Sequence, residues 1–219
     1  MSVPSALTLE QIKDSILRYL KLEDDTTADA DAASALRAGL VRLSAYPFKS
    51  LRETALITVT TDAATFTLPS DYNMAFSLTR VSTASGDPLR GRIIYKSEED
   101  FDWLRPQTIA DSGTPQLYTV RATGAGPTVG EFDFKPTTEW FSVSSQVRLR
   151  YYRRLDTIVT SSSTFSIPPE FTEWLIWNGR KEVASIWNTE KYPLAQQEAN
   201  RSLADLTRRN TVEDEQDWY

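Results

Sequence analysis

The stretch that decides the fold runs from Gln146 to Trp187. It reads QVRLRYYRRLDTIV at 146–159, TSSSTFSIPPEF at 160–171 and TEWLIWNGRKEVASIW at 172–187. The first part alternates as a strand over 146–157, with Arg148 and Arg150 on one face and Leu149 and Tyr151 on the other. The second is polar and turn-forming, and its serine run 161–163 is too short for a domain linker. The third is a tryptophan-rich helix, with Pro169 suited to its first turn. On this helix Ile176, Val183 and Trp187 are expected near one face, with Gly179 permitting close packing. Trp174 and Trp177 lie off that stripe, so the helix is apolar on more than one face. That suits either deep burial or a subunit interface, and Trp174, Trp177 and Gly179 are the candidate interface residues.

Upstream, Thr8-Leu9-Glu10-Gln11 has capping-box spacing, followed by Leu9, Ile12, Ile16 and Leu20 at helical intervals. The acidic segment Glu23–Asp31 reads as a loop. A second helix is expected from Ala32, carrying Leu36, Leu40 and Leu43 and ending before Pro47. The pattern then turns β-rich. Leu56–Thr60 and Thr65–Leu68 read as a hairpin, and Met74–Thr83 and Leu89–Tyr95 flank the turn Ser85-Gly86-Asp87-Pro88. Ser97 caps a short acidic helix over 98–104. Gln116–Thr123 and Gly130–Lys135 are joined by a glycine turn. Ile158-Val159 and Phe165–Ile167 flank the serine run as a further hairpin. A last helix spans about 193–209, with Ala195, Ala199, Leu203 and Leu206 inward.

The expected fold is α+β. The helical hairpin 1–50 and the C-terminal helices 168–209 form one helical bundle, because short helices need a packed apolar face. Residues 51–167 form a long antiparallel β-rich insertion, and 210–219 an extended acidic arm.

Composition narrows the chemistry. The 219 residues include no Cys and no His. Disulfides, thiol nucleophiles, zinc fingers and histidine triads are excluded. No cofactor or metal is implied. A formal net charge of −6 argues against nucleic-acid binding by the whole surface. The first twenty residues lack the basic and apolar regions of a signal peptide. No window holds the roughly 18 uninterrupted apolar residues of a membrane span.

The remaining motifs carry little catalysis. Gly124-x-Gly126-x-x-x-Gly130 is too long for a dinucleotide fingerprint and joins strands. Asp24, Asp25, Asp29 and Asp31 lack the glycine and terminal Glu of a calcium loop. Glu98, Glu99, Asp100 and Asp102, near Trp103, fit a charged helix start better than a glycosidase pair. Arg148, Arg150, Arg153 and Arg154 form the one concentrated basic strip. It is either a solvent-facing row paired with acidic cross-strand neighbours or a contact for nucleic acid or an acidic partner. Asp217, Trp218 and Tyr219 end the acidic tail, as a disordered end or as an anchoring arm.

Several groups occur in order: Leu68-Pro69-Ser70-Asp71-Tyr72, Gly113-Thr114-Pro115-Gln116-Leu117-Tyr118, Phe132-Asp133-Phe134-Lys135-Pro136, Leu149-Arg150-Tyr151-Tyr152-Arg153 and Ile167-Pro168-Pro169-Glu170-Phe171. With helices at both ends, the series resembles the head-to-tail adaptor (head completion, or connector) proteins of tailed bacteriophages, particularly of short-tailed phages. The resemblance implies a virion protein forming a homo-oligomeric ring, usually a dodecamer, beneath the portal protein. Such a ring extends the double-stranded DNA channel and offers a platform to tail or nozzle proteins, with no enzymatic role and no membrane. It also implies that the arm with Asp217, Trp218 and Tyr219 reaches the portal. Two other classes stay open: a carbohydrate- or receptor-binding β-rich tail module with Trp103 and Trp140 as stacking platforms, and a carboxylate glycosidase using Glu98 or Glu99.

Overall fold

The computed structural model describes residues 7–60, 63–82, 85, 88–104, 112–122, 129–143, 146–155 and 169–214, with backbone only at 88–91, 141–143 and 210–214. The described residues form an α+β protein with six α-helices and a seven-stranded mixed sheet. They fall into two compact units: residues up to Ser50 together with those from Arg154 onward, and Leu51–Arg153.

The helical unit contains α1 (Leu9–Leu20), α2 (Thr26–Ser44), α5 (Pro169–Trp187) and α6 (Tyr192–Asp214). The capping box is present: Thr8 Oγ1 accepts from the Gln11 amide at 3.2 Å, and Gln11 Oε1 accepts from the Thr8 amide at 2.9 Å. Helix α2 begins six residues before the expected Ala32, at Thr26. Asp25 is its N-cap, accepting from the Thr27 and Ala28 amides at 2.8 and 3.0 Å. Acidic residues read as a loop are thus a cap and a first turn, where carboxylates favour the helix dipole. Ala28, Ala32, Ala35 and Gly39 share its buried face with Leu36, Leu40 and Leu43.

Helix α5 packs against α1, α2 and α6. Its buried face is Phe171, Trp174, Leu175, Asn178, Gly179, Val183 and Ala184. This corrects the expected stripe: Trp174 lies within the buried face, Ile176 is half-buried and Trp187 is exposed. A Cβ at Gly179 would collide with the side chain of Ile16, so the missing side chain sets the approach of α1. Helix α6 buries Ala195, Ala199 and Leu206, leaves Leu203 half-buried, and runs on to Asp214 instead of ending near 209.

The sheet unit contains β1 (Arg52–Thr58), β2 (Thr65–Thr67), β3 (Tyr72–Val81), β4 (Pro88–Tyr95), β6 (Leu117–Arg121), β7 (Val129–Phe132) and β9 (Gln146–Arg153) in one sheet. Their spatial order is β1-β9-β3-β4-β6-β7-β2. A small parallel pair, β5 (Ser112–Gly113) and β8 (Lys135–Pro136), stands apart from it.

Two expectations fail here. β1 and β2 are not a hairpin; they are the opposite edges of a sheet that curls until they approach each other. The sheet is also not wholly antiparallel. β4 and β6 run parallel, joined through α3 (Glu98–Leu104) in a strand–helix–strand crossover. A further helix, α4 (Thr138–Val143), follows Thr137, whose hydroxyl accepts from the Trp140 amide at 3.2 Å. Strand β9 is shorter than expected, and the proposed hairpin around 158–167 lies outside the described residues.

The core of this unit is Ile57, Val59, Phe66, Leu68, Leu78, Ile93, Tyr118, Phe132, Trp140, Val147, Leu149 and Tyr151. Phe66 pairs in register with Gly130 across β2 and β7, and a Cβ at Gly130 would collide with its ring. A ring lying on a cross-strand glycine covers exposed backbone and pins register. Gly130→Ala should therefore destabilise the protein by about 1–3 kcal/mol. Phe66→Leu in the same chain should recover part of that loss in chemical denaturation. Additive losses would show that the ring does not rest on Gly130.

Candidate functional site

The expected site residues divide between the two units. In the helical unit, Trp174 and Gly179 are buried among the helices of the same chain. Trp177 is half-buried and meets Tyr19 edge-on at 5.8 Å. The Arg180 guanidinium lies 4.5 Å from both rings, and its Nη2 donates to Ser15 Oγ at 3.2 Å. Burial lowers the Arg180 pKa from its ordinary value. Lys191 Nζ also sits 4.7 Å from the Tyr19 ring and donates to the Tyr19 carbonyl. This cation–aromatic stack ties α1 to α5 and to the start of α6. Asp217, Trp218 and Tyr219 lie outside the described residues.

In the sheet unit, the motif groups are framework. Asp133 Oδ1 accepts from the Gln116 and Phe134 amides at 3.0 and 3.1 Å, joining the 113–118 and 132–136 groups. Asp71 accepts from the Tyr151 hydroxyl at 2.8 Å, joining the 68–72 and 149–153 groups. Burial, and then this bond, push the Tyr151 hydroxyl pKa up.

The basic strip separates by face. Val147, Leu149 and Tyr151 enter the core, so Arg148 and Arg150 point outward. Arg153 falls on the inward side and pairs with Glu53 at 3.3 Å, while Arg154 follows the strand and is exposed. On the outer face, register sets Leu56 and Thr79 beside Arg148, and Thr54 and Ser77 beside Arg150. The expected acidic cross-strand neighbours are therefore not at those positions.

Two further arginines join this face. Arg92 is opposite Thr79 on β4, and Arg52 is opposite Tyr152 on β1. Arg52 donates to the Tyr152 hydroxyl at 3.2 Å and lies 4.8 Å over the Phe76 ring. Arg92 Nη2 donates to the Phe76 carbonyl at 3.3 Å. Neither was a candidate from sequence. Alternation along β1 and β4 shows them facing outward, but only the strand order brings them beside Arg148 and Arg150. The outward positions Arg52, Thr54, Leu56 and Thr58, Gln146, Arg148, Arg150 and Tyr152, Met74, Ser77 and Thr79, and Arg92 and Ile94 include four arginines and no carboxylate. The same face exposes Leu56, Met74 and Ile94.

The acidic helix α3 covers the outer side of β6. Phe101 is buried, and Thr119 beneath donates to the Lys96 carbonyl at 2.9 Å. Arg121 pairs with Asp102 and Glu131 and reaches Glu98 at 3.5 Å. The hydrogen bonds it donates to Asp102 and Glu131, opposed by burial, push its pKa further up. Trp103 is 83% exposed, whereas Trp140 is only 3% exposed. Trp140 meets Phe132 at 6.4 Å and Arg80 at 4.8 Å. It is a core residue and offers no stacking platform to a sugar. Glu98 is engaged by the Arg121 that anchors α3.

No group of metal-ligating side chains and no helix long and apolar enough to cross a membrane occurs among the described residues. The profile of the SU10 adaptor protein family matches residues 7–218, spanning both units. The chain belongs to the SU10 adaptor protein family. The family bears out the resemblance to phage head-to-tail adaptors and makes this a phage structural adaptor protein. No curated protein matches the sequence.

Arg121 is the electrostatic link between α3 and the sheet of this adaptor. Arg121→Ala should lower stability by about 1–3 kcal/mol, because it removes the cation shared by three carboxylates. Amides of 98–104 should exchange faster by hydrogen–deuterium mass spectrometry. Unchanged protection would show that Phe101 alone holds the helix.

Proposed function

We propose that the protein is the adaptor ring of a tailed-phage virion, of the short-tailed type, a dodecamer joining the portal to the tail. The observation that carries this reading is the family match across both the helical and the sheet unit. The ring extends the channel for double-stranded DNA and gives the tail or nozzle proteins a docking platform. It assembles in the host cytoplasm and stays at the portal vertex, and it needs no cofactor and catalyses no reaction. A heterologous contact repeated around an axis closes into such a ring. The acidic balance of the chain suits a conduit, since phosphates adhere to clustered Lys and Arg.

Trp177 is the candidate interface residue of α5 that keeps exposed ring surface. The residues after α6, 215–219 with Asp217, Trp218 and Tyr219, are the candidate contact to the portal. The β-rich glycan-binding reading loses Trp140 to the core and keeps Trp103 alone. The glycosidase reading meets a Glu98 already bound to Arg121.

Mixing the purified chain with portal rings should give a stoichiometric ring-on-ring complex by native mass spectrometry and electron microscopy. Trp177→Ala should impair ring formation more than it lowers the melting temperature. A chain that stays monomeric beside portal rings and binds glycans would sink the adaptor reading.

A further inference from the structure

The sheet unit carries two exposed surfaces of opposite chemistry. One is the outer face of β1, β9, β3 and β4, with Arg52, Arg92, Arg148 and Arg150 and no carboxylate among its described outward positions. Its exposed apolar side chains are Leu56 at 55%, Met74 at 44% and Ile94 at 54%. The other is α3. Glu98 and Asp102 are turned to Arg121, and Glu99 and Asp100 are exposed. Beyond them Trp103 is 83% and Leu104 43% exposed.

We propose that α3 of one copy docks on the arginine face of a second copy, with Trp103 and Leu104 seated among Leu56, Met74 and Ile94 and with Glu99 and Asp100 facing Arg92 and Arg150. Three observations carry this. The first is charge complementarity: a chain of net charge −6 gathers four arginines on one sheet face and an acidic helix on another part of the same unit. The second is the aromatic side chain. A tryptophan left in water beside a fully buried Phe101 has the character of an interface anchor, the residue type richest in binding energy when it fills a partner's pocket. The receiving face offers apolar surface framed by donors, which is the anatomy of an interface centre and rim.

The third observation is direction. The sheet curls until its edge strands approach, so the outer side of β1 and β9, four and three places from β6 in the strand order, is turned away from the side that α3 covers, while β4 lies next to it. Two different patches facing different ways make a heterologous contact, which repeats from copy to copy and closes into a ring at the right angle. The inference deepens the ring reading by naming its subunit contact, and it rests on that reading only for closure. Arginine is suited to this role, because its planar fork meets carboxylates in a fixed geometry and stacks on rings, as Arg52 already does on Phe76.

The absence of native cysteine allows a direct test in the full chain. Thr54→Cys on the arginine face and Leu104→Cys on α3 are made singly and mixed under mild oxidation. The mixture should yield crosslinked dimer at least tenfold faster than either variant alone, and tenfold faster than Thr54→Cys mixed with Gln196→Cys on the helical unit. Arg92→Glu with Arg150→Glu, and separately Glu99→Arg with Asp100→Arg, should each slow the crosslink at least tenfold. Combining the two reversed variants, one per cysteine partner, should restore it. Circular dichroism of each variant reports folding. Equal rates for all pairs overturn the contact. So does a crosslink indifferent to charge reversal. If Arg92→Glu with Arg150→Glu instead abolishes binding of a short DNA duplex and spares the crosslink, the face serves nucleic acid and the inference is wrong. A crosslink without rings on the portal leaves the contact standing and removes the adaptor-ring reading. Rings formed without the crosslink do the reverse.

Discussion

Strand β9 holds the sheet unit together, because it pairs along its length with β1 on one side and β3 on the other. Its eight residues join segments that are distant in the chain, and its alternation gives both faces their character. Val147, Leu149 and Tyr151 close the core from within. Arg148, Arg150 and Tyr152 face outward, and Tyr152 in turn receives Arg52 from the neighbouring strand. A one-residue slip of β9 would turn arginines into the core and leucine into water. The same pairing that satisfies the hydrophobic core therefore fixes the basic face.

Around this strand the sheet curls rather than stays open. Curling brings β1 and β2 near one another, although they remain the two ends of the strand order. Gly130 allows the Phe66 ring to lie across the β2–β7 pair, and Arg80 with Trp140 fastens α4 to the core. The parallel step from β4 to β6 requires a crossover. That crossover is α3, so the acidic helix is presented as a consequence of topology.

Much of this was legible in the sequence, and the failures share physical causes. Local chemistry was readable: the Thr8–Gln11 capping box, the Ser97 start of α3 and the in–out alternation of β9 all follow from spacing. Where a local cue had two meanings, the reading went astray. Asp25 and Asp29 look like loop acids but serve a helix start. On α5, apolar residues all round the helix hid the buried face. Asn178 obscured it further: it is buried, and accepts from Arg42 at 3.3 Å. Strand partnership was the least readable, because β1 and β2 are neighbours in sequence and opposite edges in space. For that reason Arg148 and Arg150 were found from sequence, and Arg52 and Arg92 were not.

Charge placement connects the fold to the adaptor role. DNA moves through a conduit only if its phosphates find no dense array of cations to release their counterions against. Subunits of an assembly nevertheless need directional attachments, and arginine supplies them best. A chain that is acidic overall can meet both demands if its arginines are gathered on one face and that face is covered by a neighbour. The outer face of β1, β9, β3 and β4 has the necessary concentration, and α3 has the matching acids and an exposed anchor. In that arrangement carboxylates of the next copy face Arg92 and Arg150. In the proposed ring, such a contact both joins neighbouring copies and covers the most basic face of the sheet unit.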